Sequence, residues 1–228
     1  MIISFSGLDG AGKTTQIKML LSYYQQRGYK TGSIYDLFPD IRYHSISDLR
    51  YAYDFLREYD VIHMRFRLNS DQNSVIMRKL EQSPSVKPIA AIAAAIQGYQ
   101  DHLSLYQNVL NPLLKEGKIM LFDRYYYDEL AFKHVYGCPY FILNMLYSNV
   151  QVADFPFYIK ISPQVCQARN HVRPEETAAI YQDIKRISNL AKNFDGIAAQ
   201  NSMIVLNGTD NAKRVLEQIT LRLDQPDV

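Results

Sequence analysis

The sequence predicts an α/β fold built on a five-stranded parallel sheet with helices on both faces, and three observations predict it. Short apolar runs recur along the 228 residues at 1–5, about 31–37, 118–122, 155–161 and 203–206. Segments with helical spacing separate them, the alternation of a parallel sheet covered on both sides. Between the first run and the first helical segment stands Gly7-Leu8-Asp9-Gly10-Ala11-Gly12-Lys13-Thr14, which matches the phosphate-loop pattern G-x-x-x-x-G-K-[ST].

Taken in order, residues 1–5 read as a buried strand, and residues 13 to about 27 as a helix with apolar Ile17, Leu20, Leu21 and Tyr24 and a stop at Gly28. The stretch from Asp40 to Ser83 is polar and rich in Tyr and Arg, with helical pieces. Ser83-Pro84-Ser85-Val86-Lys87-Pro88 breaks it from a long helix. There Ile96, Tyr99, Leu103, Tyr106, Leu110 and Leu113 recur at alternating four- and three-residue steps, which predicts one apolar face and places both tyrosines in the core. Gly117 ends that helix before the third strand, and Ser162-Pro163 caps the helix after the fourth.

The glycine-rich loop brings the first chemistry. Gly7, Gly10, Ala11 and Gly12 let successive backbone N–H groups converge on phosphate oxygens at a helix N-terminus, where the partial charge is positive. Lys13 adds a mobile cation between the outer phosphates, Thr14 offers a hydroxyl to Mg²⁺, and Thr15 extends the donor site. A nucleoside triphosphate, ATP, and Mg²⁺ are the expected ligands.

Composition removes other classes. Lys and Arg number 25 against 23 Asp and Glu, a net charge of +2, so no global field points to nucleic acid or to a membrane surface. The two cysteines, Cys138 and Cys166, have no metal-ligand spacing and form no disulfide framework. No apolar run is long enough to span a bilayer, and the N-terminal run belongs to the first strand, so a soluble cytoplasmic protein is expected.

The third strand ends in Phe122-Asp123-Arg124-Tyr125, and ligands of open α/β sheets bind beyond the carboxyl ends of strands. Asp123 there can orient Mg²⁺ through water or accept a proton from an attacking oxygen. Arg124 can hold an acceptor phosphate through a bidentate fork.

With these residues in place the chain resembles the thymidylate kinase family of P-loop nucleoside monophosphate kinases. The resemblance rests on residues 7–15, on Asp123-Arg124-Tyr125 followed by Asp128-Glu129-Leu130-Ala131-Phe132, and on Asn111-Pro112-Leu113-Leu114 leading to Gly117-Lys118. It implies a P-loop NTPase fold in one domain over residues 1–228, with a short lid at about 163–175 and with homodimer formation, which the apolar face at 89–95 can serve unless it belongs simply to the core. Asp9 is implied near the acceptor sugar, and Tyr125 joins Arg124 among the substrate-binding residues. Arg169 and Arg173, one helical turn apart, resemble the lid's basic residues, since the phosphate loop itself has no basic residue besides Lys13. Either can approach the transferring phosphates, and Arg169 can instead cover the adenine face. Asn207-Gly208-Thr209 resembles the adenine-side loop.

Two positions depart from the family. An Arg that grips the acceptor phosphate after the second strand is absent from Asp36-Leu37-Phe38-Pro39, and Arg42, Arg65 or Arg67 can replace it. About ten residues before Pro112, where the family has another Arg that helps hold the nucleotide, this chain has His102. The implied activity is MgATP-dependent phosphorylation of a nucleoside monophosphate, with dTMP to dTDP first. A kinase for an unphosphorylated nucleoside or other small molecule is the second reading, and a nucleotide-binding regulator without transfer the third.

Overall fold

The computed structural model describes residues 1–70, 88–171 and 183–225. Its main sheet has six strands, all parallel: β1 (Ile2–Ser6), β2 (Thr31–Ser33), β4 (Val61–Arg65), β6 (Ile119–Asp123), β7 (Phe155–Lys160) and β8 (Ile204–Asn207), in the order β2-β4-β6-β1-β7-β8. Two short strands, β3 (Arg42–Tyr43) and β5 (Asn69–Ser70), pair in a second parallel ladder. The helices are α1 (Lys13–Gln26), α2 (Ile46–Leu56), α3 (Pro88–Leu105), α4 (Asn111–Lys115), α5 (Tyr126–Val135), α6 (Tyr140–Tyr147), α7 (Pro163–His171), α8 (Ile184–Gln200) and α9 (Ala212–Asp224).

Strand β4 corrects the expectation of five strands. Val61, Ile62 and Met64 are fully buried and His63 nearly so, yet the strand sits inside the stretch that polar composition marked as irregular. Its five residues include His63 and Arg65, so the apolar run is too short and too interrupted to be read from hydropathy. The second predicted strand is also shorter than expected. It ends at Ser33, whose hydroxyl accepts from the Tyr35 backbone N–H at 3.2 Å and starts a 3-10 turn over Ile34–Asp36.

The long helix is present, with its face rotated. Ala91, Ala94, Ala95, Gly98, Asp101, His102 and Leu105 are buried, while Ile96 is 42% exposed and Tyr99, Leu103 and Tyr106 are half-buried. Small residues on the inner face allow close approach to the neighbouring elements, which outweighs side-chain size. A π-turn over Tyr106–Leu110 then shifts the register before α4. Pro112 at the start of α4 has no N–H to donate, and the Asn111 N–H reaches back to the Tyr106 carbonyl, which produces the bulge.

Among the described residues no helix is long and apolar enough to cross a membrane. Both cysteines are buried and neither is in a disulfide. Because β4 is covered on both faces, Ile62→Ala is expected to cost about 2–5 kcal/mol in urea unfolding, whereas Leu221→Ala on the 58% exposed face of α9 is expected to stay within about 0.5 kcal/mol.

Candidate active site

The site forms at the carboxyl edge of β4, β6 and β1. Parallel register pairs Phe5 with Asp123 and Asp123 with Arg65, so the chain leaving β1 toward the phosphate loop starts beside Asp123, with Arg65 one strand further out. Gly7 takes φ +138°, and a Cβ there would lie 2.5 Å from the Ile159 carbonyl oxygen, so the loop rests directly on β7. Gly12 takes φ +103° at the N-cap of α1, a conformation that turns its neighbours' amides toward the loop centre.

Lys13 Nζ donates to the carbonyls of Gly7 at 2.8 Å and Leu8 at 2.9 Å and lies 3.9 Å from the Asp9 carboxylate. Burial lowers its pKa, opposed by Asp128 and Asp123. Thr14 Oγ1 donates to Asp123 Oδ2 at 2.5 Å, which brings the two predicted metal-side oxygens together. Thr15 follows on the exposed side of α1.

Arg124 has φ +72°, rare for a residue with a side chain. Its N–H still donates to Phe5 O at 3.0 Å, and the left-handed turn then sends the guanidinium back to Asp9, which it contacts through Nη2. Its Nη1 donates to Asp128 Oδ1 at 3.2 Å. Asp128 is 3% exposed and accepts from the Tyr125 backbone N–H at 3.1 Å, capping α5, and burial raises its pKa. Tyr125 points its ring into the core and donates its hydroxyl to the Gln151 carbonyl at 2.7 Å.

Helix α7 clasps the loop from the other side. Arg169 Nη1 donates to the carbonyls of Gly10 at 2.8 Å and Gly208 at 3.1 Å, bridging the phosphate loop and the turn after β8. Asn170 Nδ2 and Cys166 Sγ both reach the Asp9 carbonyl, at 3.1 and 3.2 Å. Arg173, and with it the end of the predicted lid, lies outside the described residues. Asn207 shapes its own turn, donating to Asp210 at 2.8 Å and accepting from the Thr209 N–H and hydroxyl.

The three candidate replacement arginines separate cleanly. Arg42 is on β3 in the second ladder, exposed and paired with Asp40 at 2.9 Å. Arg65 ends β4 beside Asp123 and donates to the Tyr35 hydroxyl at 3.2 Å. Burial works against its charge, but Tyr35 and Asp123 outweigh it and raise the pKa. Arg67 pairs with Glu129 at 3.0 Å. His102 is 2% exposed, stacked on Phe66 at 4.0 Å, and its Nδ1–H donates to the Phe66 carbonyl at 2.8 Å. Hydropathy and spacing gave no sign of Asn170 or Tyr35, because each acts through a partner distant in sequence, Asp9 and Arg65.

An amide loop closed by a lysine, a hydroxyl–carboxylate pair at the helix start and arginines on the facing strand ends are the parts of a P-loop phosphotransferase. Residues 62–219 match the family model described as thymidylate kinase, and the chain belongs to that family. A probable thymidylate kinase 2 from Saccharolobus solfataricus is 22% identical, covering 97% of this chain and 93% of its own length. The thymidylate kinase of Fervidobacterium nodosum is 22% identical over 96% of each chain, and a probable thymidylate kinase of Thermococcus kodakarensis 23% identical over 96% of this chain and 95% of its own.

Burial depresses the His102 pKa from 6.5 to about 4, so the folded state binds fewer protons than the unfolded state between those values. Its contribution is complete above about 6.5 and is lost as pH falls toward about 4, roughly 3 kcal/mol in all. His102→Asn, which keeps a donor for the Phe66 carbonyl, is expected to flatten that acid limb in denaturation measured across pH 4–7. An unchanged slope would assign the limb to other groups.

Proposed function

We propose that this protein transfers the γ-phosphoryl group of ATP to dTMP, giving dTDP. The observation that carries the reading is the pairing of Arg65 with Asp123 at one strand edge, directly beside the Lys13 loop. That pairing supplies a guanidinium for the acceptor phosphate despite the missing Arg after β2, and so favours a phosphorylated acceptor over a free nucleoside.

The loop amides and Lys13 hold the donor phosphates, and the lysine exchanges its Gly7 and Leu8 carbonyl partners for phosphate oxygens. Thr14 and Asp123 present hard oxygens 2.5 Å apart, a donor set that fits Mg²⁺, which takes few protein ligands and completes its shell with phosphates and water. The ion, when bound with ATP, offsets charge that develops on the transferring group. Alternatively, Asp123 accepts a proton from the attacking oxygen of the acceptor. Arg65 and Arg124 grip the acceptor phosphate, and Asp9 holds Arg124 in place and faces the acceptor sugar. Arg169 steadies the loop against the adenine-side turn, where Asn207 sets the backbone. Residues 163–175 act as a lid that brings Arg173 over the phosphates, and the whole chain works as one kinase domain. Catalysis is then mostly positioning and charge stabilisation.

A homodimer accompanies this reading, with Ile89 and Ile96 of α3 and Phe141 and Met145 of α6 as exposed apolar surface for the second copy. Light scattering of Ile89→Glu with Phe141→Glu is expected to give a monomer.

Lys13→Ala is expected to lower turnover about 10³-fold or more while leaving the circular-dichroism spectrum unchanged; near-normal turnover would count against the scheme. Arg65→Ala is expected to raise the dTMP KM about tenfold or more with the ATP KM little changed. Transfer to thymidine but to no monophosphate, in a panel under MgATP, would overturn the reading.

A further inference from the structure

A nest of amides works only if the carbonyls between its N–H groups are turned outward and satisfied there. In this chain three successive carbonyls of the phosphate loop are taken up by α7 and by the turn after β8. The Asp9 carbonyl accepts from Asn170 Nδ2 at 3.1 Å and from the Cys166 thiol at 3.2 Å. The Gly10 carbonyl accepts from Arg169 Nη1 at 2.8 Å. The Ala11 carbonyl oxygen would lie 2.9 Å from a Cβ on Gly208, so it rests on backbone that carries no side chain. The peptide bonds are trans, so each N–H points opposite to the carbonyl before it, and the amides of Gly10, Ala11 and Gly12 face away from α7 and the β8 turn. The Ala11 N–H turns into the loop, donating to the Leu8 carbonyl at 3.2 Å.

Asn170 and Cys166 bring no charge to a nucleotide and are buried, 3% and 0% exposed. Asn170 Nδ2 also donates to the Cys166 carbonyl, one turn back, at 2.9 Å, so both of its amide hydrogens are committed to carbonyl oxygens. A side chain with a single donor cannot serve both carbonyls, and a carboxylate serves neither. Helix α7 comes this close because residue 10 is glycine: a Cβ there would lie 3.1 Å from Arg169 Cβ and 3.6 Å from Asn170 Nδ2. Asp9 is held at its other end as well, by Arg124 Nη2 on its carboxylate. Carbonyl and side chain together leave the plane of the 9–10 peptide little freedom.

We propose that Asn170 and Cys166 are positioning residues for the donor nucleotide: by holding the Asp9 carbonyl outward they aim the Gly10 N–H at the triphosphate. The inference rests on the donor half of the kinase reading and adds two neutral residues that act through the loop backbone. A loop whose 9–10 peptide is free to flip presents a carbonyl to the phosphates in part of its population, and the apparent affinity falls with the fraction that is competent. The effect falls on ATP, because the acceptor-side end of Asp9 stays with Arg124.

The test measures ATP binding by calorimetry without acceptor, then kcat and the KM of ATP and of dTMP, in the wild type, Asn170→Ala, Cys166→Ala and Cys166→Ser, with a melting temperature for each. Asn170→Ala is expected to raise the ATP Kd and KM about tenfold, with the dTMP KM within about twofold and kcat at saturating ATP little changed. Cys166→Ala is expected to show the same split at about threefold, and Cys166→Ser, which restores a donor, to lie closer to the wild type than the alanine variant does. A merely structural role lowers the melting temperature and leaves ATP binding alone, or lowers kcat with both KM values disturbed together. Either pattern in the alanine variants would overturn the assignment and leave the kinase reading intact, and the two Cys166 variants decide the matter if Asn170→Ala does not fold. A wild type that binds ATP but transfers it to no monophosphate would remove the kinase reading, and the calorimetric comparison would still decide the role of the pair.

Discussion

The parallel register of β1, β6 and β4 is the constraint on which the rest depends. It sets Phe5 against Asp123 and Asp123 against Arg65, so the loop that leaves β1 starts at a carboxylate whose other neighbour is a guanidinium. A one-residue slip of β4 would turn Arg65 and His63 to the opposite face and put Met64 and Ile62 in their place. The full burial of Ile62 and Met64 on their own side resists that slip, so hydrophobic packing within the sheet fixes the polar geometry at its edge.

That edge concentrates charge to a degree that only mutual compensation allows. Lys13, Asp123 and Asp128 are each about 95% or more buried, and an isolated ion so placed would cost several kcal/mol. The opposing shifts of Lys13 and Asp128 express the desolvation, and the contacts of Arg124 with Asp9 and Asp128 offset it. The positive φ of Arg124 is part of the same balance: a backbone conformation costing about 1–3 kcal/mol persists because one guanidinium thereby spans carboxylates from the loop and from α5. The phosphate loop is thus held by side-chain ion pairs on one flank and by the α7 contacts of Cys166, Arg169 and Asn170 on the other.

How much of this was legible in the chain varies with distance along it. The loop at 7–14, the strand-end Asp123-Arg124 and the alternation of elements are local patterns, and the structure brings those residues together. Strand β4 was not legible, because a five-residue central strand carrying His63 and Arg65 has neither the length nor the uniform hydropathy of its neighbours. The inner face of α3 was misread by one position, since close packing there selects Ala91, Ala95 and Gly98 and leaves Ile96 outside. The choice among Arg42, Arg65 and Arg67 needed three dimensions: all three have the same chemistry, and only register and burial separate an exposed partner of Asp40 from a neighbour of Asp123.

Strand order decides which side chain borders Asp123. With β4 between β2 and β6, the end of β2 does not border Asp123. The position bordering Asp123 belongs to β4, and Arg65 occupies it. Tyr35, carried by the turn that ends β2, now serves that arginine by accepting from its Nη1 at 3.2 Å. Register within the sheet, and not closeness in sequence to the loop, thus selects the cation that stands beside Asp123.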